Sequence, residues 1–447
     1  MSREESAVQD SAAVEDSRQA DASEATRRGV SRRAVLMGGG LAALGLGTLG
    51  GYRAGESSGR ERGTQDADVL RLQYPFRGKN QSGITTPQQQ QMHLAAYDVV
   101  TTDREDLIEL LKEWTLAAER MMAGELVNEM KAFKEVPPDD TGETMDLGPA
   151  GLSITFGFGA TLFETADGTD RFGIADRKPE PLLAEIPRMS AENLDEQRCG
   201  GDIVIQACAE DPMVALHAIH DLTRIAFGRA TLKWSQLGYG RTSSTSKDQK
   251  TPRNLFGFKD GTANVKSEET DVLDEHLWIG PDDPGGDLFA GGTYMACRKI
   301  KMMMEVWDEL VLSEQENIIG RDKVEGAPLS GGTEFTTPDF GKNEGGEPLI
   351  DARSHMALMH PDHNSGNRML RRGYNYMEGN DYLGRLEGGL FFIAFIRDPE
   401  KNFIPILRKM SRDLLTEYLQ TTGSALFLIP PGIGDGDEYV GQALFTK

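Results

Sequence analysis

The chain has 447 residues, 38% of them hydrophobic, which is enough for two domains with sizeable cores. Its 71 acidic and 48 basic residues give a net charge of −23, which disfavours nucleic acid and anionic membranes as partners because both would repel the chain. Three cysteines without a CxxC or CxxCH pattern argue against zinc fingers, iron–sulfur clusters, covalent haem attachment and a disulfide-held fold.

The sequence of the N-terminal region predicts an export signal. Residues 1–30 are polar and predicted to be disordered. Twin arginines in Ser31–Leu36 precede a weakly apolar, glycine-rich run, which is typical of a twin-arginine (Tat) signal over residues 31–55. An ordinary signal anchor is the alternative, and residues 56–68 predict a linker. We therefore expect Tat export to the periplasm, cell envelope or exterior, with membrane contact only through an uncleaved leader.

Residues 69–250 predict a ferredoxin-like N-terminal domain. In chain order, a strand, a helix, two strands and a helix are predicted at 92–100, 104–122, 152–158, 202–208 and 212–227. With one more strand, this order is the ferredoxin-like one. On the second helix, His217 and His220 could share a face, but no third metal ligand is near them in the sequence, so no metal site is predicted.

Residues 251–447 predict a second domain of the same kind. Strands are predicted at 292–307 and 389–396, and helices at 308–319 and 402–415. The expected fold class is therefore α+β, with two ferredoxin-like domains, each an antiparallel sheet with helices packed on it, as in the dimeric α+β barrel superfamily.

The stretch NLFGFKDGTANV, residues 254–265, places an acid in a glycine turn. Asp260 lies between Phe258 and Gly261, and glycines there can adopt positive φ and let the backbone approach a ligand. Partial desolvation would raise the pKa of the carboxyl group towards the range useful for proton transfer. A simple Asp-Gly turn between strands explains the same residues.

Other polar residues of the second half lie beside apolar segments: His355, the turn His360–His363, Arg371 with Arg372, and Asp398 before Pro399. Singly, these residues fit a core histidine, a surface pair and a helix cap. Together they supply what a haem peroxidase needs. An imidazole can bind the iron and a carboxylate can hold its other nitrogen, while on the opposite face an acid/base group and a cation are required.

Four segments, in this order, carry a family resemblance: Tyr74–Gln88, residues 254–265, Gly291–Asp308 and Met369–Tyr376. They resemble the dye-decolourising (DyP-type) haem peroxidases, most closely the Tat-exported deferrochelatase/peroxidase branch, and the similarity runs from Tyr74 to the C-terminus. The resemblance implies the following roles: distal acid/base Asp260, haem-lining Gly261, Thr262 and Ala263, proximal iron ligand His355, porphyrin-contacting His360, Pro361 and Asp362, distal arginine Arg371, and Asp398 as the partner of His355.

Two assignments stay open within that resemblance. The loop between His355 and Arg371 is shorter than in familiar members of the family, so Arg372 is an alternative distal arginine. His360 and His363 are alternative iron ligands, and His355 is preferred because its sequence context, SHMALMHP, matches the family.

The resemblance implies one non-covalent haem b (heme b) per chain, hydrogen peroxide as oxidant, and dyes, porphyrins or similar bulky organic reductants. Electrons would leave such reductants at the surface, with Tyr374, Tyr376 and Trp278 as candidates. A second hypothesis is a haem-binding deferrochelatase that releases iron for an uptake system and works with partners there. A third is an exported α+β protein without a cofactor. A homo-oligomer is also expected.

Overall fold

The computed structural model describes residues 68–128, 134–183, 186–189 and 192–446. The predicted disordered extension, the predicted export signal and all but the last residue of the predicted linker lie outside these residues. Within the described ranges, no helix combines the length and the apolar character needed to cross a membrane.

The described strands are β1 (Gln91–Val99), β2 (Ser153–Gly159), β3 (Ile203–Ala209), β4 (Ala230–Arg241), β5 (Thr293–Met302), β6 (Asn343–Glu344), β7 (Glu347–Pro348), β8 (Leu370–Arg371), β9 (Tyr374–Asn380), β10 (Leu386–Ile396) and β11 (Leu419–Ile429). The α-helices are α1 (Arg104–Met122), α2 (Ala160–Phe163), α3 (Pro212–Ile225), α4 (Thr270–His276), α5 (Gly286–Phe289), α6 (Met304–Asp308), α7 (Leu312–Ile319), α8 (His355–Met359) and α9 (Ile404–Lys409). A π-helical turn spans Pro399–Phe403, and 3₁₀ turns span Ala175–Arg177, Glu180–Leu183, Glu196–Arg198, Pro361–His363, Met410–Arg412, Leu414–Tyr418 and Gln442–Leu444.

Two sets of four antiparallel strands close into one ring. The first half contributes the order β4-β1-β3-β2, and the second half contributes β9-β10-β5-β11. Both orders are those of a ferredoxin-like sheet, in which the first and third strands lie in the middle. Pairing of β2 with β11 and of β4 with β9 joins the halves, while β8 pairs with β10 along the edge that β9 also uses. The predicted α+β class with two ferredoxin-like halves is confirmed.

Side chains alternate between the two faces of each strand, so one set points into the ring and the other points towards the helices outside it. On β1, Leu94 and Ala96 belong to one buried cluster together with residues of β9 and β10, whereas Ala95 and Tyr97 belong to another together with α1 and α3. Successive strand residues face opposite sides, so β1 contributes apolar side chains to two cores.

Aspartates begin the two long helices. Asp103 accepts hydrogen bonds from the first-turn amides of α1, and Asp211 does the same for α3, which also starts with Pro212. Such caps satisfy amides that have no partner within the helix. The predicted bounds of α1 are confirmed.

The second half is more broken than predicted. The predicted strand 292–307 ends at Met302, and α6 follows because Trp307 turns inward onto Phe256, with ring centroids 4.3 Å apart. The predicted helix 402–415 is a π turn, α9 and two 3₁₀ turns. Asp413 starts the last of these turns by accepting the amide of Leu415 at 2.8 Å.

Candidate active site

The segment that carries Asp260 folds as a tight turn between β4 and α4. The amide of Asn254 donates to the carbonyl of Phe258 at 3.1 Å, and the amide of Asp260 donates to that of Pro252 at 3.0 Å. Gly261 has φ +85°, and a Cβ there would lie 2.8 Å from the Cα of Ser243. Glycine is therefore required at this position by the close approach of the next segment.

Aromatic packing holds this turn in place. Phe256 and Phe258 are buried against Trp307, and the ring of Trp307 also meets Tyr418 edge-on with centroids 5.2 Å apart. Tyr418 ends the 3₁₀ turn that Asp413 begins. One aromatic cluster thus anchors the turn that carries Asp260 and the turn that begins at Asp413.

Asp260 forms an ion pair with Arg371 at the end of β8. The Nη1 atom of Arg371 donates to Oδ1 of Asp260 at 2.9 Å, and the side-chain amide of Asn254 donates to Oδ2 at 3.3 Å. Both side chains of the pair are mostly buried, with 15% of Asp260 and 28% of Arg371 exposed. A charge-assisted hydrogen bond of this length fixes the positions of both groups.

Asn264 holds the backbone of Arg371 at two points. Its Oδ1 accepts the amide of Arg371 at 2.7 Å, and its Nδ2 donates to the carbonyl of Arg371 at 2.8 Å. The segment that supplies the acid therefore also positions the arginine, which is the reason the two groups meet.

Arg372 has a different environment. It is fully buried, its Nη1 donates to the carbonyl of Thr86 at 2.6 Å, and its Nη2 donates to the side chain of Gln89. Neighbouring residues of a strand face opposite sides, so only one of the two arginines can reach Asp260. The structure places Arg371 there and Arg372 in the core.

His355 is the first residue of α8 and has a buried carboxylate partner. Ser354 caps the helix, and the Nδ1 atom of His355 lies 2.7 Å from Oδ2 of Asp413, whose side chain is fully buried. A carboxylate accepts here, so Nδ1 carries the proton and Nε2 keeps a lone pair for a metal ion. About 31% of the His355 side chain is exposed.

Electrostatics connect His355 to the Asp260–Arg371 pair. Burial lowers the pKa of His355, but the charge and the hydrogen bond of Asp413 outweigh burial, and the charge of Asp260 raises the pKa further. Arg371 acts in the opposite direction, and the net shift is upward. The charges of Asp260 and Arg371 thus act on the imidazole of His355.

The predicted partnership between Asp398 and His355 is wrong. Asp398 instead begins the π turn: its Oδ1 accepts the amide of Glu400 at 2.9 Å, and its carboxylate lies 2.7 Å from the Nζ atom of Lys401. Asp413 occupies the place predicted for it. Both aspartates precede a turn, so the sequence around them held no signal that separates a cap from a histidine partner.

The other predicted cofactor contacts lie on segments next to these groups. The Thr262 hydroxyl donates to Glu334 at 3.2 Å, and Ala263 is exposed. His360 ends α8, and its Nδ1 accepts the amide of Asp362 at 3.3 Å, with Pro361 between them. Burial, its largest influence, lowers the pKa of His360.

His363, the other alternative ligand, donates from Nδ1 to the carbonyl of Ala357 at 2.6 Å, and its ring centroid lies 4.5 Å from that of Phe340. Among the described residues, no carboxylate forms a hydrogen bond or ion pair with the ring of His363. His355, by contrast, has both a buried carboxylate and the charged pair within electrostatic reach.

Two of the suggested surface tyrosines are core residues. Tyr374 and Tyr376 are buried, and burial raises the pKa of both hydroxyl groups. The proposal that they exchange electrons with reductants at the surface is therefore wrong. Trp278 is half-buried. Among the described tyrosines, Tyr239 on β4 and Tyr382 in the turn between β9 and β10 are exposed.

Comparisons with known proteins agree with this geometry. Residues 81–240 match the family model "Dyp-type peroxidase, N-terminal", and residues 251–434 match "Dyp-type peroxidase, C-terminal". The chain is 34% identical over 386 residues to the deferrochelatase of Escherichia coli K12, covering 86% of this chain and 89% of the relative.

Solved structures give the same picture. An oxyferrous/water mixed complex of DtpA from Streptomyces lividans matches with a TM-score of 0.76 at 37% identity, covering 85% of this chain and 99% of that one. A DyP-type peroxidase from Streptomyces coelicolor matches with a TM-score of 0.76 at 36% identity, covering 85% and 98%.

Proposed function

Because this chain belongs to the Dyp-type peroxidase family and is a haem peroxidase, we propose that His355 would hold the haem iron and that Asp260 and Arg371 would act on peroxide. The observation that carries this assignment is the pair of short contacts, His355 to Asp413 and Arg371 to Asp260. The haem is proposed to be haem b, bound non-covalently, one per chain.

The residues present fit such a group. Hydrogen bonding of Nδ1 to Asp413 leaves Nε2 of His355 as the ligand atom, and the negative partner makes the imidazole a stronger donor. Cys208 and Cys297 lie buried in β3 and β5, and Cys199 precedes β3, so none lies in a segment that forms the site. These positions support non-covalent binding.

When bound, haem would supply the iron and the two electrons that reduce peroxide. Around it, the chain moves one proton and stabilises one charge. Asp260 accepts a proton from the first peroxide oxygen and returns it to the second, which leaves as water. Arg371, fixed by Asn264, stabilises the negative charge that develops as the O–O bond breaks. Its contact with Asp260 keeps the acid and the cation on the same side.

The test is Asp260→Asn in the haem-loaded protein. We expect the Soret band to persist and the rate of reaction with hydrogen peroxide, followed by stopped flow, to fall about 10²–10⁴-fold, the range for loss of a general acid–base. Asp398→Asn is the matched control and should react at the parent rate. An unchanged rate in Asp260→Asn would remove this carboxylate from the mechanism.

A second candidate function is removal of iron from haem, as the name of the 34% identical deferrochelatase relatives states for those proteins. We propose that the residues assigned to haem binding would also serve this activity, with haem as the substrate and an iron-uptake system receiving the released iron. Dyes, porphyrins and similar bulky compounds would be the reductants of the peroxidase activity. The same preparations decide between the two fates of haem: fluorescence of iron-free porphyrin after haem is supplied marks iron release, whereas its absence with retained peroxide turnover marks a peroxidase alone.

We further propose that the chain is exported by the Tat pathway and works outside the cytoplasm, in the periplasm, the envelope or the medium. The support is the twin-arginine stretch Ser31–Leu36 before a weakly apolar run. Assembly into a homo-oligomer belongs to the same proposal and rests on the resemblance alone.

A further inference from the structure

A second histidine in the N-terminal half lies among buried carboxylates. His217, on α3, has Asp221 one turn further along the helix, and Asp140 approaches from the loop before β2. Each of these three residues offers a ligand atom, and the three atoms lie within 4.8 Å of one another. All three side chains are at most 2% exposed. We call Asp140, His217 and Asp221 the buried triad.

Polar atoms of the buried triad lack hydrogen-bond partners among the described residues. Nε2 of His217 has none, and Oδ2 of Asp140 lies 3.5 Å from it, too far for a good hydrogen bond. Oδ1 of Asp221 also has none, although Arg224 lies 3.8 Å away. Buried polar groups without partners are costly, so their presence in a cluster calls for something that binds them.

The charge of the cluster is also unbalanced. The carboxylates of Asp140 and Asp221 both lie beside the ring of His217, with oxygens 3.5 Å from Nε2 and 3.3 Å from Nδ1, so two negative charges repel each other in a buried place. The Arg224 side chain is 38% exposed, so solvent screens its charge. A small dication between the carboxylates would remove this repulsion and occupy the unpartnered nitrogen.

A path to the buried triad begins at the surface. The Glu143 carboxylate joins His217 Nδ1 at 2.9 Å to His220 Nδ1 at 2.6 Å, and the His220 side chain is 54% exposed. Glu143 itself is 21% exposed. The five groups thus form a continuous line of oxygen and nitrogen donors from the solvent to the interior.

We propose that the buried triad, with Glu143 and His220 at its entrance, binds one divalent transition-metal ion such as Mn²⁺ or Zn²⁺. Mixed carboxylate and imidazole donors suit these ions better than Ca²⁺ or Mg²⁺, which prefer oxygen alone, or Cu⁺, which prefers sulfur. The site is separate in sequence and in fold from the residues proposed to hold haem: it lies on α3 and the loop before β2, in the N-terminal half.

The sequence suggested half of this site. His217 and His220 are visible as a pair on one helix, but no metal site was predicted because a third ligand was missing. Asp140 is 77 residues before His217, and Asp221 is one helical turn after it. Only the fold shows that both carboxylates face the same imidazole.

The test uses the haem-loaded, full-length protein after dialysis against a chelator. Mn²⁺ is titrated and its free concentration followed by electron paramagnetic resonance, while haem is counted from its absorption. We expect one Mn²⁺ per haem, an affinity more than about tenfold lower in Asp221→Asn and in His217→Gln, and no change in the exposed control Glu109→Gln. Zn²⁺, measured by competition with a chromophoric chelator, should show the same ranking.

A folding readout keeps the test decisive. Mn²⁺ should raise the melting temperature of the parent protein but not that of Asp221→Asn, whose circular dichroism should match the parent at 25 °C. No saturable binding of either ion would overturn the proposal and assign a proton to Nε2 of His217. Binding that survives both substitutions, or Ca²⁺ binding as tight as Mn²⁺ binding, would overturn it equally.

Discussion

His355 and His217 share one local arrangement in two different surroundings. Each has Nδ1 within hydrogen-bond distance of a carboxylate oxygen, 2.7 Å for His355 and Asp413 and 2.9 Å for His217 and Glu143. Around His355, the charges of Arg371 and Asp260 act on the ring. Around His217, two further carboxylates approach the ring at 3.5 and 3.3 Å.

A histidine–carboxylate pair therefore does not by itself select the ligand that the histidine binds. The partner sets the tautomer and basicity of the ring, and the charges nearby decide what can be bound there. A site with Arg371 opposite suits chemistry in which negative charge develops on an oxygen. A buried site with several carboxylates suits a small dication that they neutralise.

The largest expected effect comes from removing each histidine in turn. His355→Ala should abolish the Soret band and the peroxidase activity of protein expressed with haem available, because the proposed iron ligand is gone. His217→Gln should retain both. Absorption spectra and peroxide turnover of the two variants, prepared side by side, measure the contrast. Loss of haem from His217→Gln with an intact fold, or a normal Soret band in His355→Ala, would break the assignment of the two sites.

The next effect separates the two aspartates that the sequence could not distinguish. Asp413→Asn leaves the shape of the side chain but removes the negative partner of Nδ1, so haem affinity should fall about 10–100-fold. Asp398→Asn keeps a side chain that caps about equally well and loses only an ion pair with the exposed Lys401, so stability should change little and haem affinity should be unchanged. Haem transfer to apo-myoglobin gives the affinities, and urea unfolding gives the stabilities. Equal haem affinities in the two variants would restore Asp398 as a candidate.

Much of the fold follows from local patterns. Apolar spacing predicted α1 to its observed bounds, and buried strands of the first half were found within a residue or two because their residues are apolar on both faces. The second half was predicted less well, since Pro399, Pro405 and the cap Asp413 divide one apparent helix into short turns. Apolar residues continue at helical spacing through these breaks, so the spacing did not reveal them.

For the site, the sequence located groups but not contacts. The Asp260–Arg371 pair and His355 were proposed from a family resemblance, and the structure brings them within reach of one another. Asp413, Asn264, Asp140 and Glu143 were missed because each contacts its partner across 58 to 107 residues of chain. Such contacts depend on how the ring of strands closes, which no short window contains.

The smallest effect is a shift in the pH at which haem is lost. The pKa of His355 is raised in the folded apo protein, so acid protonates this ring at a higher pH than an ordinary histidine, and a protonated Nε2 cannot bind iron. Haem affinity should therefore fall as the pH decreases through that raised value. In Asp413→Asn, burial remains and lowers the pKa of His355. The midpoint of the pH-dependent fall in haem affinity, measured by haem transfer at each pH, should therefore move to lower pH, although the affinity at neutral pH is weaker.

Glu143, the carboxylate beside His217, is protonated only at a much lower pH than His355. Burial raises the pKa of Glu143, but hydrogen bonds from Thr141, His217 and His220 outweigh it and lower the pKa to about 2. Its contribution to stability is present above its unfolded pKa and is lost only as the pH falls towards about 2. Soret absorbance and far-ultraviolet circular dichroism, recorded over one acid titration, should thus show haem leaving a protein that is still folded. Coincident midpoints in the parent, or an unshifted haem midpoint in Asp413→Asn, would mean that unfolding, and not protonation of His355, releases the haem.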